Sequence, residues 1–202
     1  MFTGIIKKTS KVAKVVQTNQ GMSLEIVNNL GKISAKGGPA SGWKEGESIA
    51  VNGVCLTARK VGKNLAFECM PETLKLANLG LLQKATVVNL EKAMRADAKL
   101  DGHIVLGHVD TKAGIVSIKK EGNSRVFEIQ LPKDFKKLIV YKGSVAVEGI
   151  SLTVAKVLKD SFVVKIIPYT LSHTNLSYRK IGDAVNLEFD ILAKYAIRQK
   201  AK

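Results

Sequence analysis

The chain has 202 residues, 46% of them hydrophobic, enough for one large domain or for two of about 100 residues, each with its own core. A formal net charge of +15 raises a nucleic-acid reading, but the basic residues are scattered, densest as the pairs Lys7-Lys8, Lys119-Lys120 and Lys136-Lys137, and they read as a solvated surface. No apolar run reaches the roughly 18 residues of a membrane-spanning helix, the opening Met1-Phe2-Thr3-Gly4 lacks a signal-peptide pattern, and two cysteines with no Cys-x-x-Cys pair argue against a disulfide scaffold and a zinc site, so a cytoplasmic setting is expected.

In chain order the pattern is one of short strands and tight turns. Ser48-Ile49-Ala50-Val51 and Val54-Cys55-Leu56-Thr57 flank the turn dipeptide Asn52-Gly53. Gly62-Lys63-Asn64 and Glu121-Gly122-Asn123 mark further turns. The run from Val126 to Leu131 alternates, with Phe127, Ile129 and Leu131 on one face, and Val185-Asn186-Leu187-Glu188-Phe189 does the same. A period of two with polar partners predicts half-buried strands. Many such strands with regular turns predict an all-β barrel or sandwich. Residues 191–202 read as a helix with Ile191, Leu192 and Tyr195 roughly on one face, an apolar stripe suited to self-association.

The two halves of the chain overlay. Ser48 to Thr57 matches Ser144 to Thr153 at a separation of 96 positions. Glu72-Thr73-Leu74 matches Tyr169-Thr170-Leu171, Asn78-Leu79 matches Asn175-Leu176, and Val88-Asn89-Leu90-Glu91 matches Val185-Asn186-Leu187-Glu188, all at 97. Gly4 and Val12 align weakly with Gly107 and Ile115 at 103, so the first half carries about seven extra residues before Ser48, placed most naturally in the Gly/Ser/Pro-rich residues 36–43. A period near 100 held over this span is a tandem copy of one fold rather than a solenoid. The boundary is expected near residues 96–102, giving one barrel over 1–97, a second over 98–190 and a terminal helix over 191–202.

The residues now resemble those of the riboflavin synthase family along nearly the whole chain. Met1-Phe2-Thr3-Gly4-Ile5-Ile6 looks like the family's start, and Val51-Asn52-Gly53-Val54-Cys55-Leu56-Thr57, Asn78-Leu79-Gly80 and Val88-Asn89-Leu90-Glu91 follow in order. Gly102-His103 and Gly107-His108-Val109-Asp110 fit a paired-histidine segment. Tyr141-Lys142-Gly143, Gly149-Ile150-Ser151-Leu152-Thr153 and Ile167-Pro168-Tyr169-Thr170-Leu171 complete the second half. The resemblance implies two six-stranded Greek-key barrels and a homotrimer held by C-terminal helices. It also implies a reaction in which one 6,7-dimethyl-8-ribityllumazine gives a four-carbon unit to another, yielding riboflavin and 5-amino-6-(D-ribitylamino)uracil. The resemblance implies further that no metal, flavin cofactor or nucleotide takes part, and that each active site pairs the N-terminal barrel of one subunit with the C-terminal barrel of a neighbour. An association with lumazine synthase, which makes the substrate, is left open.

Such chemistry needs two rings held in reacting geometry, worth about 7–11 kcal/mol, and groups that move protons near neutrality. His108 is the first choice for proton transfer and His103 the second, because imidazole titrates in that range; a hydrogen-bonded structural role is the alternative for each. Zinc binding by this pair lacks a third and fourth ligand. Cys55 and Ser151 hold the same place in the two copies, and the resemblance turns both toward bound lumazine; either is a candidate nucleophile. Thr57 and Thr153 share their strand faces. Ser48 and Lys142 match family positions near ligand, whereas Ser144 reads as structural. Glu148 stands where the family usually has Asp and is carried over as catalytic, with a reach one methylene longer. Asp190 is a supporting charge. Ring-edge contacts are implied at Gly4, Ile5 and Ile6, at Leu56 beside Cys55, at Glu68, Cys69, Met70, Pro71, Glu72 and Thr73, at Gly107, His108 and Val109, at Leu152 beside Ser151, and at Ile167, Pro168, Tyr169, Thr170, Leu171 and Ser172. A strand edge can match the alternating donors and acceptors of a pteridine there. Buried core is the alternative for Cys55 and above all for Cys69. Ala77, where the family often has Thr, is expected to lack one polar contact, and Asp101, where it has Gly, to stiffen the linker.

Two other readings compete. The lumazine proteins of luminous bacteria share this fold without catalysis and would be expected to lose ligand residues from one barrel; Thr57 and Thr153, Thr73 and Thr170, Cys55, Ser151 and His108 all remain, which favours the enzyme. A nucleic-acid-binding barrel pair would need exposed aromatics to stack bases, and only 5% of the residues are aromatic.

Overall fold

The computed structural model describes residues 1–28 and 43–200. The expected home of the extra residues, 36–43, lies outside them except for Trp43, which is buried.

The chain is mostly β. In the second half β8 (Thr111–Glu121), β9 (Ser124–Gln130), β10 (Ser144–Val147), β11 (Ile150–Val157), β12 (Ser161–Ile166) and β13 (Ala184–Phe189) close into a barrel in the order β10-β11-β12-β9-β8-β13. The neighbours β12 and β9 are not consecutive, which makes the barrel a Greek key. In the first half β1 (Lys8–Thr18), β2 (Gly21–Val27), β3 (Ser48–Val51), β4 (Val54–Thr57), β5 (Lys60–Val61), β6 (Asn64–Cys69) and β7 (Val87–Lys92) run in the order β4-β3-β7-β1-β2-β6-β5. The two ends of that order, β4 and β5, are one strand interrupted at Ala58 and Arg59. The Arg59 N–H donates to the Ala66 carbonyl at 2.8 Å, carrying the sheet round to β6. The second half bends at the same place, where the β11–β12 register shifts between Val154 and Lys156, but its strand is unbroken. A local bend of this kind lets one strand serve two sides of a barrel.

Each barrel has its own core. Leu24, Ile26, Ile49, Leu65, Phe67 and Leu79 fill the first, and Phe127, Ile129, Val145, Phe162, Val164 and Leu187 the second. Each such side chain contributes roughly 1.5–3 kcal/mol on burial. The alternation read in β9 holds, with Phe127, Ile129 and Leu131 all buried. For β13 the expectation of a half-buried strand needs correction. Val185, Leu187 and Phe189 face the core, but Asn186 and Glu188 are buried too, because that face meets the other half of the chain rather than water. The short helices α1 (Pro71–Leu76) and α2 (Pro168–His173) follow β6 and β12 and begin with proline, which is preorganised for a first helical turn. The helix α3 (Ile191–Lys200) ends the described chain, with Leu192 and Tyr195 exposed. No helix among the described residues is long and apolar enough to cross a membrane.

The halves meet at their hairpin tips. Asn52 and Gly53, and Glu148 and Gly149, all have positive φ, at 47°, 82°, 54° and 77°, the signature of tight two-residue hairpins. A Cβ on Gly53 would lie 2.6 Å from the Gly149 nitrogen, and the reverse distance is the same. Around this contact Asn52, Asn78, Asn89, Glu148, Asn175 and Asn186 are buried. The Asn89 N–H donates to Asn52 Oδ1 and the Asn186 N–H to Glu148 Oε1, each at 2.8 Å. The side-chain amide of Asn89 donates to the Glu148 carbonyl at 3.0 Å, and that of Asn186 to the Asn52 carbonyl at 2.9 Å. The duplication is thus a near-twofold arrangement joined by a polar network.

Candidate active site

Two equivalent hairpins, β3–β4 and β10–β11, present matching outer faces. Register sets Ser48 across from Thr57 and Ala50 across from Cys55. It sets Ser144 across from Thr153 and Ala146 across from Ser151. The intervening residues Ile49, Val51, Val54, Val145, Val147 and Ile150 point into the cores, so Cys55 with Thr57 and Ser151 with Thr153 are left on the outer faces, as strand periodicity requires. Ala50 and Ala146 are small enough to admit Phe2 and Val105, which pair as an isolated bridge and form a third apolar cluster with them.

The segments that run on from Phe2 and Val105 cross to opposite hairpins. The Ser151 N–H donates to the Gly4 carbonyl and the Cys55 N–H to the Gly107 carbonyl, both at 2.8 Å. A Cβ at Gly4 would stand 2.7 Å from Ser151 Cβ, and one at Gly107 2.6 Å from Cys55 Cβ, so each approach requires glycine. Gly102 is held as tightly: a Cβ there would meet the Thr3 carbonyl oxygen at 2.1 Å. Asp101 has no left-handed backbone. The expected loss of a glycine-only conformation therefore does not arise at Asp101; the close approach belongs to Gly102.

His103 Nδ1 lies 2.7 Å from Ser151 Oγ in a hydrogen bond, and the His103 N–H donates to the Thr3 carbonyl at 3.2 Å. Burial pulls the imidazole below its ordinary pKa, and the carboxylate of Asp190 opposes that shift. Asp190 also accepts the Leu192 N–H at 2.9 Å at the start of α3. His108 follows Gly107 and is exposed. Of the two histidines, the second choice from sequence is thus the one built into a hydrogen-bonded site within the chain. Lys142 is exposed, with φ of 66° and its Nζ 5.4 Å from the Tyr141 ring centre.

Glu148 stands apart from the other candidates. It is wholly buried at the hairpin tip, where its carboxylate accepts from Asn78 Nδ2 at 2.7 Å and Asn175 Nδ2 at 2.6 Å, and pairs with Arg179. Its surroundings are those of an inter-barrel anchor. Cys69 belongs to the first core, and burial pushes its thiol up to about 11; Cys55 is the partly exposed cysteine. Glu68, Cys69 and Met70 border a groove of about 280 Å³ together with Thr18, Gln20, Met22 and Ser23. In the second copy Ile167 and Tyr169 are exposed, and Tyr169 stacks on His173 at 4.1 Å. Thr73 and Thr170 are half-buried within α1 and α2, as is Leu171. Thr174 donates its hydroxyl to the Thr170 carbonyl at 2.7 Å. The contact that Ala77 lacks is therefore an internal turn bond in the second copy.

Two buried carboxylates escaped the sequence reading. Glu91 accepts the Thr3 N–H at 2.8 Å, the Thr3 hydroxyl at 2.7 Å and the Gly4 N–H at 3.1 Å. Glu188 accepts the Leu106 N–H at 2.6 Å and the Gly107 N–H at 2.9 Å. Burial raises both above the ordinary carboxylate pKa, and these donors pull back against it. Their signal in the sequence was the repeated Val-Asn-Leu-Glu, an acid on a strand with no visible partner.

Two barrels carrying the same outer face, each closed by a crossed glycine segment, define a lumazine-binding fold: the lumazine binding domain family matches residues 3–93 and again residues 106–190. The riboflavin synthase of Bacillus subtilis (strain 168) is 38% identical over 199 residues, spanning 98% of this chain and 89% of that protein. The riboflavin synthase of Actinobacillus pleuropneumoniae is 41% identical over 196 residues, spanning 96% and 87%. Among solved structures, LumP complexed with 6,7-dimethyl-8-(1'-D-ribityl) lumazine shares the fold with a TM-score of 0.81 over 93% of this chain and 98% of that one, at 20% identity. The chain belongs to the riboflavin synthase family, enzymes of the transferase class.

Proposed function

We propose that this protein converts two molecules of 6,7-dimethyl-8-ribityllumazine into riboflavin and 5-amino-6-(D-ribitylamino)uracil. The observation that carries this reading is the doubled face: Cys55 and Ser151 sit at one register position, each with its N–H on a glycine carbonyl of the crossing segment. A dismutation needs two similar sites for one compound, and different side chains at the matched position to make donor and acceptor unlike. The two substrates contain every atom of the two products, so the exchange is balanced without an outside reductant.

In this reading Thr57 and Thr153 flank the rings, and Ser48 and Lys142 lie beside them. The backbone at Glu68–Thr73 and at Ile167–Ser172 takes the ring edges. The His103–Ser151 pair moves a proton: a buried imidazole kept neutral accepts it and returns it. His108, exposed beside Gly107, serves the opposing ring. Glu148 acts through the fold rather than on the substrate. One barrel over residues 1–97 and one over 98–190 meet their counterparts in neighbouring subunits of a homotrimer. Leu192 and Tyr195 on the terminal helix supply apolar contact for that assembly. The protein works in the cytoplasm.

The test is incubation of the purified protein with the lumazine alone, following riboflavin absorbance and product ratio. One riboflavin per two lumazines consumed is expected. Tight binding without turnover would overturn the enzymatic reading and leave a chromophore carrier.

A further inference from the structure

We propose that Glu91 and Glu188 are crossed positioning residues: each holds its own half's opening segment so that this segment closes the active face of the other half. In the first half, Glu91 on β7 grips Thr3 and Gly4 through three hydrogen bonds of 2.7 to 3.1 Å. The carbonyl of Gly4 then reaches across to the Ser151 N–H on β11. The carbonyl of Thr3 takes the N–H of His103, whose ring is bonded to the Ser151 hydroxyl. Everything Glu91 orders therefore lies over the second-half face. In the second half, Glu188 on β13 grips Leu106 and Gly107 at 2.6 and 2.9 Å, and the Gly107 carbonyl reaches back to the Cys55 N–H on β4.

The arrangement occurs twice in one chain, with the matching residues at the repeat separations of 97 for the glutamates and 103 for the glycines. A carboxylate with two acceptor oxygens suits this task, because it fixes two successive N–H groups at once. The glycines leave almost no slack: a Cβ at either would fall within 2.7 Å of the opposite residue's Cβ. A small shift of the held segment is thus transmitted to Ser151 or to Cys55. The assignment rests on the reading that these two faces take the rings, but the coupling itself is testable without substrate.

The experiment uses the full chain with Glu91→Gln and Glu188→Gln, which keep the shape and turn one acceptor into a donor facing a backbone N–H. Two substrate-free readouts separate the faces. The rate at which dithiobis(nitrobenzoate) labels the native protein reports Cys55, since Cys69 is buried. The NMR titration of the His103 imidazole reports the Ser151 face. The expected result is crossed. E188Q changes Cys55 labelling severalfold and leaves the His103 titration in place; E91Q shifts the His103 titration and leaves Cys55 labelling unchanged. Thr3→Val, which removes one donor to Glu91, gives the same pattern as E91Q if that variant fails to fold, and Glu188→Asp, which shortens the carboxylate's reach to the Leu106 and Gly107 N–H groups, gives that of E188Q. With lumazine present, E91Q and E188Q each lose about 10²-fold in kcat/KM, the scale of a misplacement near 1 Å. Both readouts moving together in each variant would overturn the proposal, as would the uncrossed pattern. A crossed pattern in a protein that does not turn over lumazine keeps the positioning role and removes only the catalytic reading.

Discussion

At the scale of single residues, burial makes His103 and the two glutamates answer pH in opposite directions. His103 titrates below its ordinary value in the folded chain. Between that lowered value and about 6.5, the unfolded chain binds more protons, so stability is fully present above about 6.5 and is lost as pH falls through the folded value. Glu91 and Glu188 titrate above theirs. Between about 4.3 and the raised values the folded chain binds more protons, so their contribution is present at lower pH and is lost as pH rises through the folded values. The expected outcome in urea unfolding midpoints is specific. His103→Gln removes the fall on the acid side of neutrality, and E188Q flattens the loss that begins just above the ordinary carboxylate range. A His103→Gln variant with the parent's pH profile would mean that the imidazole titrates alike folded and unfolded.

At the scale of elements, the hairpin tips decide how the halves can approach. Gly149 needs both a left-handed backbone, at φ of 77°, and the space of a missing side chain, since a Cβ would lie 2.6 Å from the Gly53 nitrogen. Gly122, in the β8–β9 turn, has φ of 57° and open space around it. Gly122→Ala is therefore expected to lose only the backbone preference, about 1–2 kcal/mol, while Gly149→Ala loses that and the clash with backbone as well. Denaturant titration of the pair isolates the contact; equal losses would mean that the tips can part freely. These turns were legible because Asn52-Gly53 announces a tight hairpin by composition alone. The partner turn was less so, since Glu148 is a poor residue for positive φ and carried no such mark. The alternation in β13 was legible as well, but not what its polar face meets. Alternation records which residues differ from the core and is silent on whether Asn186 and Glu188 face water or another barrel. The glutamate grip on the opening segments was hidden for the same reason: it depends on a crossing between halves that no local pattern encodes. Cys55 and Ser151 were found because the repeat itself set them side by side.

At the scale of the whole molecule, the polar network at the hairpin tips carries, among the described residues, its formal charge on Glu148 and Arg179. The carboxylate is wholly buried, and Arg179, whose side chain is 13% exposed, pairs with it. Three asparagine residues supply the remaining bonds, through the Asn78 and Asn175 side chains and the Asn186 N–H. Removing one member of a buried pair costs about 3–5 kcal/mol, mostly from the charge left behind. Arg179→Ala should fall toward the lower end of that range, because the asparagine donors still solvate the carboxylate. Glu148→Gln in the Arg179→Ala background removes the stranded charge and keeps the shape, so the double variant is expected to be more stable than Arg179→Ala alone. A double-mutant cycle measured by urea unfolding checks this, and purely additive losses would show that the pair is not coupled. Glu148 and Arg179 both belong to the second half, whereas Asn78 reaches Glu148 from the first, so a variant at Asn78 reports on how the halves unfold. In urea the parent is expected to unfold in one transition and Asn78→Ala in a broader one, since losing the Asn78 amide's bonds to Glu148 and the Ala184 carbonyl acts on the join before it acts on either core.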